Sequence, residues 1–312
     1  MSLRVVILGG GLMGRWHAHA ARKAGGTVVA VVDPDPDAPF PPTATLEEAL
    51  ALGPDVVHVC SPEPDHADQA AAALSAGAHV LVDKPLAPDA ARTLALVEQA
   101  HAHGLTLTPV HQMTAQRWRG DVESLGALVS IEHTLHSAGG GGADLDRIAA
   151  SIACHPLSIV AELLGPSELE GVRWSVDRAG AGELRALGSS AGCAVGFAIS
   201  MSARPPRNDL VVSGSRATLH ADLFHGFGAV DRVSADRIGK LARPFLRGAS
   251  TLGRASTNLG RRAAAREPAF PGLDALVAAT YAAIRSDADP PLSVAHCLAV
   301  ARARDAILGA LP

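Results

Sequence analysis

The sequence predicts an α/β protein: an N-terminal doubly wound parallel sheet, followed by a C-terminal α+β domain with a mostly antiparallel sheet. Three observations carry this prediction. In the first third, short runs rich in Val, Ile and Leu alternate with helical spacing. A glycine cluster separates the first run from the first helix. After about Trp118, strand-like segments follow one another with only turn residues between them.

The first-domain strands are read at Arg4–Leu8, Val28–Val32, Asp55–Cys60, His79–Val82 and Leu105–Val110. Their nearly continuous apolar character suits strands covered on both faces. Helices are expected over Leu12–Ala24, Leu46–Leu52, Asp65–Ala76 and Asp89–His103, with Asp65 and Asp89 as caps of the last two. Gly25, Gly53, Gly77 and Gly104 each follow a helix, where a left-handed residue closes it. In the second domain, strands are expected at Ala127–His136, Leu169–Asp177, Glu183–Ser189, Cys193–Ala203, Asp209–Gly214 and Ala217–Leu223. One long helix over Asp144–Leu164 interrupts them, and helices over Leu273–Ser286 and Val294–Leu308 close the chain. The domains are accordingly 1–118 and 119–312.

The chain has 312 residues and a net charge of −4, which argues against a dedicated nucleic-acid binder. No apolar run approaches the ~20 residues of a transmembrane segment, and the N-terminus lacks the features of a signal peptide, so a cytoplasmic address is expected. The four cysteines, Cys60, Cys154, Cys193 and Cys297, form no C-x-x-C pair and read as buried free thiols. His133 and His136, three apart on a strand, point to opposite faces, and no metal site is expected. Only Lys23, Lys84 and Lys240 are lysines, so any basic side chain that exchanges a proton is one of these three.

Gly9-Gly10-Gly11-Leu12-Met13-Gly14 contains G-x-G-x-x-G after a strand and at the start of a helix, the context of a Rossmann dinucleotide site. Gly9 makes the turn, Gly11 lets the backbone approach a pyrophosphate, and Gly14 lets helix and strand pack closely. Leu12 and Met13 lie in the same turn, where helix N–H groups meet the anion. Asp33 ends the second strand, placed to accept from the adenosine ribose and to repel a 2′-phosphate, and Pro34-Asp35-Pro36-Asp37 follows without an arginine. NAD is therefore preferred to NADP. A flavin or S-adenosylmethionine is a rival for the same loop.

The chain resembles the glucose–fructose oxidoreductase, inositol dehydrogenase and rhizopine-catabolism family (Gfo/Idh/MocA). Gly14-Arg15-Trp16-His17 is similar to its glycine loop and following histidine. Val59-Cys60-Ser61-Pro62 with Asp65-His66 resembles its loop over the nicotinamide, and Gly77–Leu86 resembles its most specific signature, with Asp83 where glutamate is usual. The resemblance implies a substrate site between the two domains, with Ser61, Pro62 and His66 at the cofactor and Lys84 beside the nicotinamide. Segment 290–307 resembles the family's closing helix, which packs back on the first domain.

In Ser151-Ile152-Ala153-Cys154-His155-Pro156-Leu157-Ser158, His155 matches the family's catalytic histidine, while serines replace both of its usual aspartates. Ser151, one turn earlier, is expected on the same face as His155. Gln112 and Arg117, with His111, follow the fifth strand and are candidate substrate contacts. A glycine run, Gly139–Gly142, precedes the helix, as in the family.

Residues 237–266 carry eight basic and no acidic side chains, leaving −12 for the rest of a chain whose net charge is −4. Arg243, Arg247, Arg254 and Arg261 would share one helical face, which suits an anionic small-molecule substrate, a membrane surface or a solvated interface arm. Pro244 and three glycines argue against one continuous helix.

The expected activity is hydride transfer between a nicotinamide and a sugar, polyol or related cyclic alcohol or ketone, with Lys84 and His155 handling the hydroxyl proton. The lost aspartates leave two alternatives: an imine or enone reductase, or redox-neutral chemistry on bound NAD; and a non-catalytic NAD(P)-binding regulator. Homo-oligomerisation through the C-terminal sheet is expected.

Overall fold

The computed structural model describes residues 2–35, 45–138, 144–232 and 237–311; Pro36, Asp37 and the run Gly139–Gly142 lie outside the described residues. The chain divides into two compact units, Met1–His111 with Leu273–Asp305, and Gln112–Gly272 with Ala306–Pro312. The first unit ends sooner than residue 118, because the next segment bonds to the second unit. Gln116 Nε2 donates to the carbonyls of Leu223 and Pro271 at 2.9 and 3.1 Å. Segment 273–305, which holds most of both closing helices, counts with the first unit, while Ala306–Pro312 counts with the second.

The first unit is a parallel sheet of β1 (Leu3–Leu8), β2 (Gly26–Val32), β3 (Val56–Val59), β4 (His79–Val82) and β5 (Leu107–Pro109), in the order β2-β1-β3-β4-β5. Val5, Val6, Ile7, Val56, Val57, Val80, Leu81 and Val82 are fully buried, as continuous apolar strands must be when covered on both faces. The crossovers hold α1 (Leu12–Lys23), α2 (Leu46–Ala51), α3 (His66–Ser75) and α4 (Ala90–Ala102). Thr45 and Glu48 form a reciprocal capping box on α2, and Asp89 accepts from the Arg92 N–H at 2.7 Å on α4. Asp65 makes no such cap: a 3₁₀ turn, Glu63–Asp65, leads into α3 instead. The chain reverses direction across the sheet between β1 and β3, so their carboxyl ends open the crevice where such sheets bind ligands.

The second unit has seven strands in the order β12-β11-β10-β6-β9-β8-β7. They are β6 (Leu128–His136), β7 (Ser175–Asp177), β8 (Glu183–Ser190), β9 (Cys193–Ser200), β10 (Arg207–Gly214), β11 (Ala217–Asp222) and β12 (Phe227–Arg232). All neighbours are antiparallel except β6 and β9. The strand β12 was not expected from the sequence. Its run Phe-Gly-Ala-Val-Asp-Arg has weak alternation, and among the described residues it pairs with β11 alone.

The long helix over Asp144–Leu164 is two helices, α5 (Leu145–Ile152) and α6 (Cys154–Leu164), interrupted at Ala153. Pro156 explains the break, since it has no N–H for the Ile152 carbonyl four residues back. The stretch Leu145–Leu164 is apolar enough in composition to cross a membrane, which the sequence reading missed, but 72% of its apolar window is buried inside the protein. The expected strand from Leu169 begins instead as helix α7 (Pro166–Glu170), with proline in its first turn.

Residues 237–264 form one 28-residue helix, α8, with Pro244 inside it. This overturns the expectation of a broken segment. Pro244 falls in the second turn and removes a single hydrogen bond, while polar links to the sheet hold the helix along its length. Helices α9 (Leu273–Ser286) and α10 (Val294–Gly309) end the chain.

Candidate active site

At the carboxyl end of β1 the glycine loop is shaped by backbone contacts. A Cβ on Gly9, whose φ is +92°, would stand 2.6 Å from the Cys60 carbonyl. On Gly14 it would stand 1.8 Å from the Gly9 carbonyl. Gly11 differs: a Cβ there meets nothing within 4 Å. Its missing side chain leaves space outside the protein, as a backbone that must approach a pyrophosphate requires. Leu12, beside it, is 65% exposed. Asp33 accepts hydrogen bonds from the Gly10 and Asp35 N–H groups, the latter at 2.9 Å. A carboxylate has about four lone-pair sites, so it retains acceptor capacity for a ribose diol. These features fit a dinucleotide.

The next two strands bring their loops to the same edge. The Ser61 hydroxyl donates to Gln69 Oε1 at 2.7 Å, and Pro62 begins the turn before α3. His66 is buried, with Nδ1 2.8 Å from the Pro85 carbonyl and Nε2 2.9 Å from the Ser61 carbonyl. It ties the Ser61 turn to the Lys84–Pro85 turn, which makes it a positioning residue for both. Lys84 follows β4, is half-buried, and its backbone N–H is held by Asp83 Oδ1 at 2.9 Å. Its charge reaches His111, which burial first, and then His296 and Lys84, hold well below the usual histidine range. His111 Nδ1 lies 3.4 Å from His296 Nε2, and burial holds His296 at about 4.

Beneath the loop, His17 Nδ1 lies 2.9 Å from His58 Nδ1, and His58 Nε2 lies 2.8 Å from the Tyr281 hydroxyl. All three residues are fully buried. Burial lowers His17 to about 4, against an opposing pull from Asp83, and holds His58 well down, so both are neutral near pH 7. His58, Tyr281 and His296 were not foreseen. They carry no motif, and a fold alone brings residues 58, 281 and 296 to one edge.

The second unit contains a cavity of about 450 Å³. Leu135, Ile152, Leu223, Phe224, Phe270 and Pro271 give it apolar walls; Gln112, Gln116, His155, Asn208, His225 and Arg262 supply its polar groups. Gln116 has a fixed orientation, since its amide nitrogen serves two carbonyls and its Oε1 must therefore accept. That Oε1 and the Oε1 of Gln112 are buried with no hydrogen-bond partner among the described residues. Both residues line the cavity, and buried acceptors left unsatisfied beside it suit a ligand rich in hydroxyl or amino hydrogens. Asn208 accepts from His133 Nε2, and burial lowers His133 to about 4.

Not every expected substrate residue joins this cavity. Gln112 and His155 line it. Ser151 is buried in α5 and absent from the lining, and the Ala153 interruption removes the shared helical face expected for it and His155. The Ser158 hydroxyl is spent on the His155 carbonyl at 2.9 Å. Arg117 is exposed and lines a separate hollow with Asp121, Arg254 and Arg261. Among the described residues no cluster suited to a metal ion occurs.

Residues 3–111 match the GFO_IDH_MocA family model, described as "Oxidoreductase family, NAD-binding Rossmann fold". The chain is 31% identical over 189 residues to the inositol 2-dehydrogenase of Rhodococcus erythropolis, covering 52% of this chain and 53% of that protein. The chain thus spans about half the length of that relative. Two solved structures share the whole fold: a UDP-N-acetylglucosamine 3-dehydrogenase, GnnA, from Acidithiobacillus ferrooxidans, and a levoglucosan dehydrogenase in complex with NADH and levoglucosan. Each has a TM-score of 0.77 and 17% identity. They cover 100% and 99% of this chain, and the matches span 98% and 97% of theirs.

Proposed function

We propose that the chain, whose residues 3–111 match the NAD-binding Rossmann domain of the Gfo/Idh/MocA oxidoreductases, is a member of that family and an NAD-dependent dehydrogenase of a neutral, ring-shaped polyol or sugar. The observation that carries the reading is the open space over Gly11 beside the Asp33 carboxylate, with Lys84 at the same edge of the sheet.

Bound NAD supplies a hydride acceptor at its nicotinamide ring. The glycine loop seats the pyrophosphate on the N–H groups that open α1, and Asp33 takes the ribose hydroxyls. Lys84 orients the substrate oxygen and shares the proton that leaves it as the carbon–hydrogen bond is lost. His155 is the second proton-handling group, facing the cavity of its own unit. Gln112 and Gln116 accept from substrate hydroxyls, while Leu135, Phe224 and Phe270 cover the ring's apolar face.

The substrate is read as neutral because Arg243, Arg254 and Arg262 of the basic segment already have partners within the protein. Arg243 meets Asp231 at 2.9 Å, Arg254 meets Asp121 at 3.2 Å, and Arg262 donates to the carbonyls of Glu267 and His225 at 3.0 Å. A cytoplasmic homo-oligomer belongs to the same reading. Calorimetry tests its foundation: NAD should bind in the micromolar range and NADP at least tenfold more weakly. A folded protein that takes up neither would end it.

A further inference from the structure

Helix α8 is amphipathic in the inverse sense. Its polar side chains point toward its own sheet. Arg243 reaches Asp231 on β12, Arg247 reaches His220 on β11 at 3.3 Å, and Asn258 donates to the His225 carbonyl at 2.8 Å. A second face is apolar; its Leu252, with Gly248 and Ala255, also borders a hollow shared with β10 and β11. Leu241, Phe245, Leu252 and Leu259 are 73%, 79%, 70% and 71% exposed. Spacings of four, seven and seven put them on one stripe, and the smaller Gly248 and Ala255 occupy its intermediate positions. Between Leu241 and Leu259 no charged residue occupies a position of this stripe; Arg237 and Arg262 lie at its two ends. Monomeric proteins seldom leave a contiguous apolar face of this length in water.

We propose that this stripe is the interface with a second copy of the chain, the two α8 helices lying antiparallel about a two-fold axis near Ser250. The stripe is its own complement in that arrangement: Leu252 meets Gly248 of the partner subunit, Phe245 meets the partner's Ala255, and Leu241 meets the partner's Leu259. Leu252 and Phe245 thus fall opposite small residues near the axis, while Leu241 and Leu259 meet as a leucine pair at each end, so the stripe is self-complementary as an isologous contact demands. The helix is 28 residues long. With half of its residues at the interface, each burying roughly 30–40 Å², two copies hide about 1,000 Å², the threshold of a biological contact.

The polar links to the sheet decide against a lipid surface. An interfacial helix needs its basic side chains free for headgroups, and here Arg243 and Arg254 are paired with Asp231 and Asp121. On the strands, Val129 and Leu187 are exposed but belong to β6 and β8, away from this stripe. The interface assigned here therefore differs from one made by the sheet.

Sedimentation analysis of the full chain and its variants is the test. Phe245→Lys should halve the mass of the assembly with an unchanged circular dichroism spectrum. Adding Ala255→Glu to it should restore that mass, because each new lysine then faces a glutamate of the other copy. Val129→Lys with Leu187→Lys should leave the mass unaltered. The proposal is overturned if the wild type is monomeric, if Phe245→Lys keeps its mass, or if only the strand variants dissociate. It is also overturned if Phe245 variants lose binding to phosphatidylserine vesicles without any change in mass. Should Phe245→Lys misfold, Leu252→Ser serves as the milder variant, with the same halving expected.

Discussion

The glycine-loop edge of the first unit and the cavity of the second handle polar groups in opposite ways. At the loop edge most groups are spent within the protein. Asp33 bonds two N–H groups, Ser61 bonds Gln69, and His66 spans two carbonyls. Recognition is left to backbone shape, to the empty space over Gly11 and to the remaining lone pairs of Asp33. In the cavity lining, two glutamine carbonyls are buried without a partner among the described residues. One region is finished before its ligand arrives, and the other needs its ligand to be finished. That difference suits a common coenzyme on one side and a particular substrate on the other.

The strongest way to break this contrast is through the two kinds of glycine. Gly14→Ala forces a methyl to within 1.8 Å of the Gly9 carbonyl. Coenzyme binding should be abolished and the fold strongly destabilised, by on the order of several kcal/mol. Gly11→Ala meets no protein atom within 4 Å. Its thermal midpoint should stay near that of the parent while NAD affinity falls at least tenfold. Equal stability losses in the two variants would show that Gly11 serves the fold and not a ligand.

Lys84→Ala comes next. If this side chain handles the substrate proton, turnover should fall by roughly 10²–10⁴-fold, with NAD affinity changed far less. Turnover near that of the parent would remove Lys84 from the chemistry.

These two regions were also unequally readable in the sequence. The first unit is local: each strand, turn and helix is specified by consecutive residues, and Gly9–Gly14, Asp33 and Lys84 stand within a few residues of strand ends. The second unit is not. Its cavity combines residues from 112 to 271, and Gln116 entered it only through bonds to Leu223 and Pro271. Strand β12 was missed because an edge strand paired on one side needs little alternation. Pro156 was in plain view, yet the apolar run around it outweighed it and hid the break between α5 and α6. Pro244 misled in the other direction, because the bonds that hold α8 come from distant Asp231 and Asp121.

Buried histidines sharpen the comparison through pH. His17, His133 and His296 are each held at about 4 by burial, against an ordinary 6.5, and they are distributed over both units. Between those limits the unfolded chain binds the extra protons, so stability is full above about pH 6.5 and declines as pH falls toward 4. Each group contributes on the order of 3 kcal/mol at most. The urea midpoint should therefore drop steeply over this window. His133→Gln, which keeps a donor for Asn208, should flatten the slope by one proton. A midpoint independent of pH between 6.5 and 4 would contradict the burial of these rings.

The smallest expected effect lies in the cavity itself. Gln116→Leu removes the open acceptor, and with it two bonds to the carbonyls of Leu223 and Pro271. Gln116→Glu is the cleaner probe of the ligand, since it keeps an acceptor there, but it costs stability by setting a carboxylate against those carbonyls. If Oε1 receives a substrate hydroxyl, Gln116→Leu should raise KM about tenfold, the loss of roughly 1–1.5 kcal/mol from one neutral hydrogen bond, with kcat little altered. Arg117→Ala, outside the cavity lining, should change KM by less than twofold. A larger effect from Arg117 than from Gln116 would move substrate recognition away from the cavity. The unpartnered glutamine carbonyls would then no longer mark where specificity is set.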